Sequence, residues 1–210
     1  MKLVVASRNA HKLMELHALL GVHELIALPA EVELPPETEG TFSAAARTKA
    51  RAAARATGRA AIADDSGIEA AALGGAPGVR SARFAGEEAT DEENLAKLLR
   101  DVPSEGDRRV AYVCALAFAD PGGYEHAVEG RCEGLLATAP RGSGGFGYDP
   151  AFLPDDVDDD RTMAELTAEE KDAISHRGRA ARRLRAWLDR RGVATPKSGD
   201  GASTAAEDSR

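Results

Sequence analysis

Leu3-Val4-Val5-Ala6-Ser7-Arg8-Asn9 joins a short apolar run directly to a polar turn near the start of the chain. The run has the length and composition of a buried strand. Leucines at helical spacing follow it, at positions Leu13, Leu16, Leu19 and Leu20. This opening of strand, turn and helix predicts an α/β fold.

The same alternation continues along the chain. Apolar runs, capping residues and turn residues predict strands over 25–28, 60–63, 110–119 and 126–137 and helices over 42–56, 91–99, 167–174 and 175–191. Asp120-Pro121-Gly122-Gly123 predicts a hairpin between the two long strands. Residues 1–192 are expected to form the folded domain, and the Pro-, Gly- and Ser-containing residues 193–210 a disordered tail.

Composition excludes several classes of protein. With 210 residues, 43% of them hydrophobic, the chain is long enough to bury a core. Its formal net charge of −8 argues against a broad basic surface, so nucleic acid is not an expected partner. Cys114 and Cys132 lie in apolar runs and are expected to be buried free thiols, which suits the cytoplasm. The N-terminal apolar run is too short for a signal peptide or a membrane span, and no membrane association is expected.

The turn after the first strand is a candidate phosphate site. Ser7-Arg8-Asn9-Ala10-His11-Lys12 opens the first helix, whose free N–H groups and dipole attract anions, and Lys12 adds a positive charge. The segment is not a P-loop, because it has no glycines and no Gly-Lys-Ser/Thr ending. The alternative is an Asn9 N-cap with solvated basic neighbours.

Asp64-Asp65-Ser66-Gly67 is a candidate metal site. It follows the apolar run over 60–63, so the two carboxylates are expected at a strand end, where a compensating cation is needed. Carboxylate oxygens suit Mg²⁺, which commonly bridges protein carboxylates and substrate phosphates. Glu37 and Glu39 in the preceding loop are candidates to complete the site, or they belong to a solvated acidic loop. The alternative for the Asp-Asp segment is a β-turn.

Gly142-Ser143-Gly144-Gly145-Phe146-Gly147-Tyr148-Asp149-Pro150 sets two aromatic rings and a carboxylate among glycines. Phe146 and Tyr148 offer stacking faces for a flat ligand, and Asp149 offers an acceptor for the ring N–H groups of a base. The alternative is a glycine-rich turn whose aromatic side chains fill the core.

A fourth polar segment precedes the last helix. Lys171 and Arg177 can neutralise phosphate or bind a carbonyl, and His176 offers a donor and an acceptor. The alternative is a Ser175 N-cap, although Arg and His at a helix N-terminus are disfavoured without an anion. The acidic residues over 155–160, by contrast, cannot all converge on one ion and indicate a solvated loop.

In this order the motifs resemble those of the inosine/xanthosine triphosphate pyrophosphatases, over residues 3 to about 190. The matching motifs are Ser7-x-Asn9-x-x-Lys12-x-x-Glu15, Ala63-Asp64-Asp65-Ser66-Gly67, Leu73-Gly74-Gly75-Ala76-Pro77-Gly78, Ser81-Ala82-Arg83-Phe84, Gly145-Phe146-Gly147-Tyr148-Asp149-Pro150, Glu165-Leu166 with Lys171, and Ser175-His176-Arg177-Gly178. Each motif alone is weak, but the ordered set is specific.

The resemblance implies an elongated two-lobed α/β fold around a long, curved mixed sheet flanked by helices, with the active site in the cleft between the lobes. It also implies a Mg²⁺-dependent homodimer that hydrolyses ITP, dITP and XTP to the monophosphate and pyrophosphate. Asp65 matches the proton acceptor and a metal ligand, and Glu37 the second metal ligand. The implied substrate contacts are Ser7, Arg8, Asn9, Ala10, His11, Lys12, Ser66, Phe146, Gly147, Tyr148, Asp149, Lys171, His176 and Arg177.

One departure from the family pattern concerns the helix over 42–56. The family usually carries a Glu-Asn pair where this chain has Ala44-Ala45, although Lys49 is kept. Two alternatives therefore stay open. One is a nucleotide-binding sensor or partner protein with weak hydrolysis, and the other is a pyrophosphatase for modified pyrimidine nucleotides.

Overall fold

The computed structural model describes residues 1–36 and 40–192, so Glu37, Glu39 and the tail over 193–210 lie outside the described residues. The strands are β1 Lys2–Val5, β2 Glu24–Ala27, β3 Ala61–Ala70, β4 Arg109–Ala119, β5 Glu125–Leu136 and β6 Phe152–Pro154. The helices are α1 Ala10–Leu20, α2 Phe42–Thr57, α3 Asp91–Asp101, α4 Ala168–Ile174 and α5 His176–Gly192.

The six strands form one mixed sheet in the order β2-β1-β3-β4-β5-β6. β1 runs parallel to β2 and β3, whereas β3, β4, β5 and β6 pair antiparallel. The predicted hairpin joins β4 to β5, and the predicted α/β fold with a mixed sheet between helices is confirmed.

Different helices cover the two faces of the sheet. On one face, Ala46, Ala50 and Ala53 of α2 pack on Ala115 and Ala117 of β4. On the other face, leucines of α1 and α5 form a cluster with alternate residues of β3 and β4, namely Leu16, Leu20, Leu184, Leu188, Ile62 and Leu116. Because side chains alternate along a strand, neighbouring residues of β3 and β4 point to opposite faces. The far end of both strands, with Ile68, Ala70, Val110 and Tyr112, packs in a third cluster.

β3 is longer than predicted. The sequence placed its end before Asp64, but the strand continues to Ala70 and pairs with β4 over its whole length. The expectation of a strand end, and the alternative of a β-turn, are therefore both wrong. The strand continues because β4 supplies an antiparallel partner opposite every residue, with Asp64 facing Leu116.

β1 is the shorter neighbour of β3. It pairs with β3 only through Ala61 and Ile62, and then turns into α1. From Ala63 onwards β3 has β4 on one side and no strand of the described residues on the other. This open edge lies next to the N-terminus of α1.

Helix capping agrees with the sequence. Asn9 accepts the Lys12 N–H at 3.1 Å at the start of α1, and Thr41 caps α2. Thr90 and Glu93 form a capping box at the start of α3. Gly58, with a φ of +62°, follows the last residue of α2 as its C-cap.

Several remaining expectations are also settled. Cys114 and Cys132 are buried and free. The loop over 155–160 is largely exposed; there Asp156 pairs with Arg179 at 2.5 Å and Asp159 with Arg161 at 2.9 Å. Strand β6 was not predicted, because three residues are too few for a periodic pattern.

No helix in residues 1–36 and 40–192 is both long enough and apolar enough to span a membrane.

Gly130 of β5 marks the closest approach of α5 to the sheet. A Cβ there would lie 2.1 Å from the His176 carbonyl oxygen and 2.5 Å from the Ala180 backbone nitrogen. Neither backbone atom can move without shifting the helix, so only glycine fits.

We expect Gly130→Ala to lower the free energy of unfolding by about 1–3 kcal/mol, because it overpacks this contact. Urea denaturation measures the change. Gly106→Ala is the matched control, since its Cβ would meet nothing closer than 3.5 Å. Equal denaturation midpoints for the two variants would contradict the close approach of α5.

Candidate functional site

A cavity opens beside the N-termini of α1 and α5. Most of the expected substrate contacts line it, namely Asn9, Lys12, Ser66, Phe146, Gly147, Tyr148, Asp149, Lys171, His176 and Arg177. Four of the motifs that are far apart in sequence therefore meet at one place.

Five further residues line the cavity and were not anticipated as site residues: Gly67, Ser81, Ala82, Asp91 and Tyr112. Ser81 and Ala82 belong to a motif that carried the family resemblance, so a signal was present for them. Tyr112 stands within the apolar run of β4, which indicated only a core position.

The other expected contacts lie beside the cavity. Arg8 donates to the carbonyl oxygens of Pro29, Ala30 and Val32 at 2.9–3.1 Å and so holds the loop after β2. Ser7 Oγ accepts the Asn9 N–H, and Ala10 is the first residue of α1. His11 stacks on Phe146 with ring centroids 4.9 Å apart.

Arg177 and Asp64 form a buried ion pair at the base of the cavity. The Arg177 side chain is 2% exposed and its Nε lies 3.1 Å from Asp64 Oδ2. Its other nitrogens donate to Glu15 and, at 2.7 Å, to Ser66 Oγ. Lys12 Nζ lies 2.7 Å from the second oxygen of Asp64. Arg177 thereby ties α5 to both β3 and α1.

Cations control the ionisation of Asp64. Burial alone would raise the pKa of this carboxyl, but the Lys12 ammonium and the Arg177 guanidinium outweigh burial and hold the pKa well below its usual range. Asp64 is therefore an anion at neutral pH.

Lys171 carries the second buried cation cluster. Its Nζ lies 2.7 Å from Asp149 Oδ2 and 2.8 Å from Glu15 Oε1. Burial opposes the charge on Lys171, but Asp149 and then Glu15 overcome it and raise the pKa of the ammonium. Glu15 bridges Lys171 to Arg177.

Asp149 also shapes the glycine-rich loop. Its Oδ2 accepts the Phe146 N–H at 2.9 Å. Gly145 has a φ of +70°, and a Cβ there would lie 2.0 Å from Asp149 Oδ2. The glycine is therefore required both by backbone conformation and by the approach of the carboxylate.

The two aromatic residues of this loop differ. Tyr148 is 5% exposed, its hydroxyl donates to the Ser81 carbonyl at 2.8 Å, and it packs in the core. Phe146 is half-buried, with Lys171 Nζ 5.1 Å from its ring centroid. A core role thus applies to Tyr148, while Phe146 presents a ring to the cavity.

His176 is buried beside Arg177. Burial, and then the charge of Arg177, lower the pKa of its imidazole well below the usual value, so the ring is neutral. Its Nδ1 has no hydrogen-bond partner among residues 1–36 and 40–192. Ser175 Oγ meanwhile accepts the Gly178 N–H at 3.0 Å, so the expected N-cap and the expected pocket residues are both present.

Asp64 and Asp65 do not face one ion. As neighbours in a strand they point to opposite faces of the sheet, and Asp65 lies on the α2 side with Oδ1 2.7 Å from Lys49 Nζ. The expectation that the two carboxylates bind one metal together is therefore wrong, because β3 continues through both residues and directs them to opposite faces. Within the described ranges, no cluster of three or more His, Cys, Asp or Glu side chains could hold a metal.

Ala44 and Ala45 lie in the first turn of α2, one turn before Lys49. The Ala44 N–H donates to Thr41 Oγ1 at 3.2 Å, and Ala45 is buried. The alanines therefore keep the helix start and the Lys49–Asp65 ion pair without adding a polar group there.

We expect Asp64→Asn to lower the free energy of unfolding by about 3–5 kcal/mol, because it leaves buried cations uncompensated. The pKa of Asp64 is lowered by folding, so its contribution is present at neutral pH and is lost as pH falls below the ordinary pKa of about 3.9. Denaturation at several pH values should show a weaker acid dependence in the variant. Asp107→Asn, which removes only an exposed pair with Arg109, should not change stability measurably. Similar results for the two variants would contradict this role of Asp64.

Comparisons with known proteins agree with this geometry. The model of the Ham1 family matches residues 3–187. A dITP/XTP pyrophosphatase from Frankia alni is 50% identical over 90% of this chain and 97% of its own length, and one from Gloeobacter violaceus is 44% identical over 87% and 91%. The solved structure of the Staphylococcus aureus Ham1 protein is 38% identical, with a TM-score of 0.81, and covers 91% of this chain and 100% of its own. This chain belongs to the Ham1 family.

Proposed function

We propose that this protein hydrolyses ITP, dITP and XTP to the nucleoside monophosphate and pyrophosphate. The observation that carries the proposal is the cavity itself, in which Lys12 and Lys171 line the same space as Phe146, His176 and Arg177. Relatives named dITP/XTP pyrophosphatases, with 44–50% identity over most of the chain, support it.

The cations suit a triphosphate. Lys12 stands in the first turn of α1, where backbone N–H groups and the helix dipole also favour an anion. Its side chain is 18% exposed and that of Lys171 is 11% exposed, so both ammonium groups border the cavity. Phosphate oxygens can replace part of the carboxylate contacts that these lysines make.

Arg177 and His176 suit an oxopurine. A guanidinium has five N–H donors, and Asp64, Glu15 and Ser66 occupy three of them. A donor remaining on Arg177 can bind the 6-oxo group, whereas adenine would set an amino group against it. A buried mismatch of that kind costs about 1–3 kcal/mol. This preference for a 6-oxopurine favours purine nucleotides over modified pyrimidines.

Hydrolysis requires a general base that accepts a proton from the attacking water. We assign this role to Asp65, which accepts a proton from water as the water oxygen bonds to the α-phosphorus and the bond to the leaving pyrophosphate breaks. Asp65 and Glu37 would hold Mg²⁺ together with phosphate oxygens, because Asp64 is already paired with Lys12 and Arg177. Mg²⁺ would neutralise charge on the leaving pyrophosphate.

Incubation with ITP, XTP, dITP, GTP and ATP, with and without Mg²⁺, tests this function. We expect Mg²⁺-dependent pyrophosphate release from the first three, little from GTP or ATP, and no orthophosphate. Binding of ITP without release would instead support a sensor, in keeping with Ala44-Ala45. Faster release from modified pyrimidine nucleotides would reject the purine assignment.

We expect Asp65→Asn to lower kcat for ITP by about 10²–10⁴-fold, the usual contribution of a general base, with little change in KM. Steady-state pyrophosphate release measures both constants. Asp107→Asn serves as the control, because this exposed carboxylate is remote from the cavity lining. Wild-type turnover in the Asp65 variant would remove Asp65 from the mechanism.

We further propose a homodimer in the cytoplasm, on the basis of the family resemblance alone. Sedimentation equilibrium at micromolar concentration should give twice the 22.0 kDa mass of the chain. A monomer that retains full activity would refute the dimer and leave the reaction untouched.

A further inference from the structure

Tyr112 lines the cavity and contacts two of the residues assigned to the purine base, His176 and Asp149. It stands on β4 opposite Ile68 and Cys132, and it is 6% exposed. Its ring also packs on Phe152, with centroids 4.6 Å apart. The side chain is thus fixed on several sides and can in turn fix its neighbours.

The ring of Tyr112 defines the plane of His176. The two rings are stacked with centroids 4.5 Å apart and an interplanar angle of 8°. Nδ1 of His176 has no hydrogen-bond partner in the described part of the chain. Stacking on Tyr112 therefore orients the His176 ring, a role that a hydrogen bond to the ring nitrogen commonly has for a buried histidine.

The hydroxyl of Tyr112 orients Asp149. It donates to Asp149 Oδ1 at 3.0 Å, while Oδ2 accepts from Phe146 N–H and pairs with Lys171. Both carboxylate oxygens are thereby held. Tyr112 thus fixes two groups: its ring orients the His176 ring, and its hydroxyl orients the Asp149 carboxylate.

We propose that Tyr112 is a positioning residue that determines which purine the cavity accepts. This inference rests on the proposed function. ITP and GTP share the 6-oxo group and differ only by the 2-amino group, and XTP carries an oxygen of similar size at that position. Discrimination against GTP therefore needs polar groups that are held in a fixed orientation, rather than a limit on size. Tyr112 holds two such groups, His176 and Asp149, both of which are assigned to the base rather than to the phosphates. Its loss should therefore relax base selection more than it slows phosphate chemistry.

Two substitutions separate the ring from the hydroxyl. Tyr112→Phe keeps the stack and removes the bond to Asp149, so we expect the ITP-over-GTP ratio of kcat/KM to fall about threefold to tenfold. Tyr112→Leu removes both, and we expect a fall of about tenfold to a hundredfold. In both variants kcat for ITP should change less than KM.

Phe118→Leu is the matched control. Phe118 lies on the same strand and the same face, is 3% exposed, and packs edge-on against Trp187 of α5 at 5.1 Å. It removes a comparable aromatic contact between β4 and α5 away from the cavity. The ITP-over-GTP ratio should stay at the wild-type value in this variant.

The NMR resonances of the His176 ring provide a readout that does not depend on turnover. Ring-current shielding by Tyr112 should persist in Tyr112→Phe and Phe118→Leu and be lost in Tyr112→Leu. Unmoved His176 resonances in Tyr112→Leu, or a ratio equal to that of Phe118→Leu, would overturn the proposal. Absence of pyrophosphate release by the wild-type protein would instead overturn the proposed function, and the resonances would still test the stacking.

Discussion

The buried ion pair of Arg177 with Asp64 is the contact on which the site depends. Removing two charges from water is costly, and the cost is offset only where geometry and further hydrogen bonds are good. Here the offset comes from a second ion pair, between Lys12 and the other oxygen of Asp64, and from the hydrogen bond that Arg177 donates to Ser66. The pair joins the first turn of α5 to the middle of β3, and Gly130 allows that turn to approach the sheet. Arg177 keeps its partners on β3 and α1 only while these elements stay together.

The unequal lengths of β1 and β3 explain why Asp64 and Asp65 lie at an edge of β3 that β1 does not cover, on opposite faces of the sheet. β1 ends beside Ile62, so β3 continues with one open edge next to the N-terminus of α1. Successive residues of β3 then present Asp64 to the face of α1 and α5 and Asp65 to the face of α2. Each carboxylate therefore pairs with a lysine on its own face, Asp64 with Lys12 and Asp65 with Lys49. Asp64 and Asp65 are separated in this way because side chains alternate along a strand.

Sequence reasoning recovered the local signals and missed the long-range ones. The caps at Asn9 and Thr90 depend on neighbouring residues and were predictable, as was the hairpin between β4 and β5. The course of β3 through Asp64 was not, because it depends on β4, where Asp64 pairs with Leu116, 52 residues further along the chain. Tyr112 was missed for a related reason. Its apolar surroundings indicate a core residue, and only the fold brings His176 and Asp149 against it.

The charges of the cavity are balanced before any nucleotide arrives. Three cations, Lys12, Lys171 and Arg177, alternate with the carboxylates of Asp64, Glu15 and Asp149. This arrangement keeps the cations charged in spite of burial and holds their side chains close to where an anion would need them, so that less conformational entropy is lost on binding. The three cations differ in exposure: the side chain of Arg177 is 2% exposed, that of Lys171 11% and that of Lys12 18%. A more exposed side chain can change its partner more easily. The most exposed cation, Lys12, stands in the first turn of α1, and the most buried one, Arg177, joins α5 to β3 and α1. The three cations thus belong to one network and differ in their depth below the surface.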